Sequence, residues 1–210
     1  MHEIFQKLIE KYPELDNCLP DILEGNDLLV RTFSSGRKLL VCGTGGSAAD
    51  SEHIVGELMK GYLLARVVPT DVQKKLFDIS PQNGSYLFQH LQGALPAISL
   101  VSQVALNTAF TNDVAADMVF AQQVYGYGQP GDCLLGLSTS GNAINVIHAF
   151  QVAKAMRMST LGLTGRGGGK MREWCDVTIR VPWDDTPSIQ ERHLPIIHAL
   201  CASLEEFFFG

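Results

Sequence analysis

Apolar residues recur along this chain in two rhythms, and the alternation between the rhythms predicts the fold. Over residues 2–35 they fall at helical spacing: Ile4, Phe5, Leu8 and Ile9, then Leu19, Ile22, Leu23, Leu28, Leu29 and Phe33. Pro13 and Pro20 divide that segment into two or three helices. Short segments rich in apolar residues read as strands at 38–43, 97–101, 133–138, 160–164 and 177–181. Helical stretches lie between them at 47–60, 103–110, 113–125 and 142–156, with a short one at 171–174. A final helix covers 187–208, with Thr186 as its N-cap and Pro187 in its first turn. Residues 61–95 are the least regular; they hold a short helix near 71–78 and a turn at Pro81-Gln-Asn-Gly84.

Strand and helix alternate at βαβ spacing. That pattern calls for an α/β fold of three layers, with a five-stranded, mostly parallel sheet covered by helices on both faces. The 210 residues make one domain, 1–210, and no internal repeat interrupts it.

Composition narrows the partners. A formal net charge of −6, with no run of Lys or Arg, argues against nucleic acid. No apolar stretch approaches a membrane span, and the N-terminus lacks a signal-peptide core. Cys18, Cys42, Cys133, Cys175 and Cys201 show no CxxC spacing and no even framework, as expected of a reduced, cytoplasmic protein.

Two of the predicted strands run into glycine/serine loops. The first ends in Cys42-Gly-Thr-Gly-Gly-Ser47 and the second in Leu137-Ser-Thr-Ser-Gly-Asn142. Each loop leads into a helix, where free N–H groups and hydroxyls suit an anion. The first loop lacks the third glycine and the distal acidic residue of a dinucleotide fingerprint, and the Gly-Lys-Ser/Thr ending of a P-loop. Two such loops in one sheet point to one phosphorylated ligand held from two sides. The triple-glycine stretch 167–169 reads as a flexible turn remote from it.

His53 and Glu57 are four residues apart and share one helix face, a spacing suited to two metal ligands or to an acid and a base. The last helix carries Gln190, His193 and His198. Gln190 and His198 are about 12 Å apart along a straight helix. Sharing one ion therefore needs a bend at Pro195 or a second subunit, and His193 competes for either role.

Taken together, CGTGGSAAD at 42–50, His53 and Glu57, Asn112-Asp113, LSTSGN at 137–142 and IQERHLPIIH at 189–198 resemble the sugar isomerase (SIS) domain family. Within it the likeness is to the D-sedoheptulose 7-phosphate isomerases. The resemblance implies a flavodoxin-like sheet and an aldose–ketose isomerase that uses an enediol, at the first step of activated heptose synthesis. It implies phosphate binding by Ser47, Ser138, Thr139 and Ser140, a substrate contact from Asp113, and Glu57 and His198 as the acid/base pair. A zinc ion held by His53, Glu57, Gln190 and His198 belongs to the same picture. So does a homotetramer with sites at subunit boundaries, in which the helical segment 2–35 serves assembly. Four features depart from the family pattern: Thr44 for Asn, Ala143 for Ser, Pro187 for an acidic or small residue, and a long segment at 71–95. Two other readings stand beside the enzyme: a non-catalytic SIS protein that binds a partner such as a replication initiator, and a phosphosugar-sensing module.

Overall fold

Each of the five apolar runs forms a strand, and every pairing between them is parallel, so the expected mostly parallel sheet is wholly so. The computed structural model describes residues 2–210. Strands β1 (Leu39–Gly43), β2 (Ala97–Ser99), β3 (Cys133–Ser138), β4 (Ser159–Thr164) and β5 (Val177–Arg180) stand in the order β2-β1-β3-β4-β5. β1 and β3 pair along the whole of β1, from Leu39 opposite Cys133 to Gly43 opposite Leu137.

Successive strand side chains point to opposite faces, so each strand feeds two cores. Leu39, Val41, Leu135, Leu137, Leu161, Leu163 and Ile179 enter one, whereas Leu40, Cys42 and Leu134 enter the other. The first core is covered by helices α1 (His2–Lys11), α2 (Leu19–Ser34), α3 (Gly46–Met59) and α9 (Thr186–Phe209). The second is covered by α7 (Val119–Tyr127) and α8 (Ile144–Ala155). The N-terminal segment divides at its prolines as expected: Pro13 opens a 3-10 turn, Pro13–Cys18, and Pro20 sits in the first turn of α2. Phe5, Leu8, Ile22 and Leu29 are buried there, so the apolar stripe of that segment is used inside the chain.

Boundaries differ in a few places, each for a local reason. The N-cap of α9 is Asp185, not Thr186; its carboxylate accepts the Ser188 N–H at 3.0 Å, and this bond holds its pKa below the usual carboxylate range. The stretch 103–125 is broken later than expected. α6 (Val104–Asp113) includes Asp113, and a 3-10 turn, Ala116–Met118, precedes α7. Residues 61–95 hold two helices, α4 (Thr70–Ile79) and the unanticipated α5 (Gly84–His90), which begins at the turn signal itself. α4 buries none of its residues, and Phe77, Ile79 and Tyr86 are exposed. The short helix at 171–174 is a 3-10 turn, Lys170–Glu173.

His193, on α9, is wholly buried, and neither ring nitrogen has a hydrogen-bond partner. Burial pushes its pKa down to about 4, and the Thr164 backbone beside it opposes the shift. Between that value and the unfolded value of 6.5, the unfolded chain binds the extra proton, so stability rises with pH in this window and falls on acidification. We expect urea-unfolding free energies to drop by on the order of 3 kcal/mol between pH 6.5 and pH 4 from this group. His193→Leu should flatten that slope.

Candidate active site

The strand order reverses between β1 and β3: the chain leaves β1 for β2 on one side and returns to β3 on the other. Open parallel sheets bind ligands beyond the carboxyl ends of their strands at such a point. Both glycine/serine loops lie there. Ser47 is buried in the first turn of α3, Ser138 is buried at the end of β3, Thr139 is half-buried and Ser140 is exposed. Neither α3 nor α8 has a side-chain N-cap, which leaves N–H groups of both helix starts for an anion. One side-chain bond joins the two loops: Asn145 Nδ2 donates to Thr44 Oγ1 at 3.0 Å. The unusual Thr44 is thus a cross-tie, and Asn145 is a site residue that sequence reasoning missed.

The triple-glycine stretch is not remote. With the residues that flank it, it packs closely on the second loop. Met171 N donates to Gly141 O at 2.9 Å, Lys170 N to Asn142 Oδ1 at 3.1 Å, and Gly165 N to Thr139 O at 3.1 Å. Gly141 has φ +66°, and a Cβ there would collide with the Gly168 carbonyl. The stretch therefore braces the second loop, a role its composition does not disclose.

Farther along α3 stand His53 and Glu57. His53 Nε2 lies 2.9 Å from His198 Nε2 on α9 and 3.9 Å from Glu57 Oε1. The Tyr62 ring stacks on the His198 imidazole at 5.8 Å between centroids, 26° from parallel. Burial, helped by His53, holds the His198 pKa below its ordinary value although Glu57 opposes it. His198 is accordingly neutral at neutral pH, with one ring nitrogen to accept a proton and one to donate. Tyr62 carries no sequence signal beyond its proximity to Glu57.

The donor set suits zinc in kind: two imidazoles and a carboxylate whose Oε2 is buried without a hydrogen-bond partner, with Lys60 Nζ 3.9 Å away. The imidazole nitrogens sit at hydrogen-bond spacing, closer than the roughly 3.3 Å implied by two bonds of about 2.0 Å to one tetrahedral ion. Among the described residues, no three His, Cys, Asp or Glu side chains are already arranged around a common point.

Gln190 is not brought to the histidines. α9 runs unbroken through Pro195, and the Gln190 amide lies against Gly46, beside a surface hollow of about 370 Å³ lined by Asp50, Pro187 and Leu194. Asp113 is also apart; it is exposed at the end of α6 and bonded to Asn112. Asp50 lies beyond the first turn of α3. It is buried, its Oδ2 has no hydrogen-bond partner, and burial raises its pKa against the pull of His53. Its place three residues before His53, on the same helix face, was the available signal.

Residues 78–165 match the family model described as SIS domain. A phosphoheptose isomerase of Rhodospirillum rubrum is 37% identical over 201 residues, covering 96% of this chain and 93% of the relative. One from Helicobacter pylori is 40% identical over 181 residues, covering 86% and 81%. Among solved structures, the phosphoheptose isomerase from Neisseria gonorrhoeae superposes with a TM-score of 0.74 at 32% identity, covering 96% of this chain and 95% of that one. That from Francisella tularensis gives 0.77 at 28% identity, covering 98% and 96%.

Substituting Gly141 by Ala should force the second loop off the glycine brace. Isothermal titration with inorganic phosphate should then show binding weakened about tenfold, the scale of 1–2 kcal/mol of backbone strain, with far-UV circular dichroism unchanged.

Proposed function

We propose, from the premise that this chain belongs to the phosphoheptose isomerase family of SIS-domain proteins, that it interconverts D-sedoheptulose 7-phosphate and the corresponding aldoheptose 7-phosphate. The single observation that carries the chemistry is a carboxylate and a neutral imidazole gathered around His53, whose Nε2 lies 3.9 Å from Glu57 Oε1 and 2.9 Å from His198 Nε2. Relatives across nearly the whole chain carry the isomerase name, so the partner-binding and sensing readings are not favoured.

Isomerisation shifts a proton between C1 and C2 through an enediol. Glu57 removes the carbon-bound proton, and its orphaned oxygen marks a carboxylate not already committed to a structural bond. His198, kept neutral by burial, donates its ring N–H to the carbonyl oxygen as charge develops there. The protonated Glu57 then returns its proton to the neighbouring carbon while the enediol's other hydroxyl gives its proton to the His198 ring nitrogen, so both groups end as they began. Tyr62, stacked on His198, limits the motion of the donor ring. The hydroxyls of Ser47, Ser138, Thr139 and Ser140, with the helix-start N–H groups, hold the phosphate. His53, Glu57 and His198 are the residues that would hold zinc, which when bound polarises the substrate carbonyl as a Lewis acid.

We also propose a homo-oligomer, in the family's case a tetramer. Glu57 lies about 15 Å along α3 from Ser47 at 1.5 Å per residue. A single subunit therefore separates its own phosphate loop from its own acid/base pair. Apolar side chains at Leu63, Val67, Ile79, Val104 and Val114 are exposed, and α6 buries none of its residues. A neighbouring copy covering these faces would bring a phosphate loop and an acid/base pair together, and would supply the missing reach of Gln190 and Asp113.

Conversion of sedoheptulose 7-phosphate followed by NMR tests the reading. Wild-type protein should form the aldoheptose phosphate, and Glu57→Gln and His198→Ala should each lose a factor of ~10²–10⁴ in kcat while remaining folded. Full activity in either variant would sink the assignment of these roles.

A further inference from the structure

One charged pair is wholly buried and lies outside the reacting groups: Arg66 and Glu205, whose side chains are 0% and 1% exposed. Arg66 follows α3, and Glu205 lies on α9, two helical turns beyond His198 and on the same face. The guanidinium spans the end of α3. Nη1 donates to Leu58 O at 2.6 Å, Nη2 to Glu57 O at 2.8 Å, and Nε to Glu205 Oε1 at 2.7 Å. It thereby satisfies carbonyls that a helix C-terminus leaves open, at the end where the dipole favours a cation. Glu205 also accepts the backbone N–H groups of Tyr62, Leu63 and Leu64, at 2.8, 2.6 and 3.0 Å. Phe209, at the end of α9, closes over the guanidinium at 4.8 Å.

Most groups tied by this pair belong to a residue of the acid/base cluster or adjoin one. The Glu57 carbonyl is held by Arg66, the Tyr62 amide by Glu205, and the helix bearing His198 is the one bearing Glu205. A planar guanidinium that donates from three nitrogens to three separate acceptors fixes direction as well as distance, which a lysine ammonium does not. Removing two charges from water is costly, and a junction between two helices alone is made by apolar contact without such a cost.

We propose that Arg66 and Glu205 are positioning residues for the isomerase: their buried pair sets the register of α3 against α9 and so the placement of Glu57, His198 and Tyr62. The inference rests on the function proposed above. Arg66→Lys keeps the charge but loses the fork; Glu205→Gln keeps the shape but loses the charge. In each, kcat should fall roughly tenfold to a hundredfold with KM within about twofold, as misplaced reacting groups require. Long-range proton–nitrogen imidazole spectra, taken at one pH in the presence of a chelator, should show the ring resonances of His53 and His198 displaced and that of His148 unmoved. Folded variants with a lowered Tm but unchanged kcat and ring resonances would overturn the proposal and leave the pair a structural staple. If Glu205→Gln does not fold, Arg66→Lys carries the test. Absence of turnover in the wild-type protein would defeat the isomerase reading, and the ring resonances would still decide whether the pair positions these side chains.

Discussion

Parallel pairing of β1 with β3, residue for residue from Leu39 to Gly43, is the constraint on which the rest of the molecule depends. Because the strands run the same way and end level, their exit loops emerge side by side. Because the strand order reverses between them, no connecting element fills the space above. The helix starts of α3 and α8 therefore face one another across a gap, joined by the Asn145–Thr44 bond. β4 extends the same logic: its exit leads into the glycine stretch that braces the second loop from behind.

α3 carries residues of both predicted groups. Ser47 lies in its first turn, and His53 and Glu57 lie in its last two turns, so length along one helix separates them. α9 packs on the same face of the sheet beside α3, from Gln190 at Gly46 to the far end of α3, where His198, Tyr62 and the buried Arg66–Glu205 pair gather. That end is polar and internally tied, whereas α4 and α6 leave apolar side chains uncovered.

Much of the fold was legible because it rests on local periodicity. The run at 133–138 is apolar and buried along its whole length, which a strand in a sheet covered on both faces requires, whereas 177–181 alternates and forms the edge strand. The loops at 42–47 and 137–142 announced themselves by composition, and His53 with Glu57 by spacing. α5 escaped because a seven-residue helix carries too few turns for a period to show. The N-cap of α9 was misplaced by one residue because Asp185 and Thr186 are both capping residues, and only the Ser188 N–H chooses between them.

The sequence by itself determined the layer architecture, the positions of the strands, the two glycine/serine loops and the shared helix face of His53 and Glu57. These follow from side-chain chemistry at fixed spacing, which the backbone geometry of helix and strand converts directly into faces. Only the tertiary structure decided that the glycine stretch supports a loop, that Asp50 is buried, and that Gln190 stays apart from His198. It alone joined Arg66 to Glu205, 139 residues away in the chain. Such contacts are made across elements whose relative placement is set by the packing of the whole core, and no local period or motif encodes that distance.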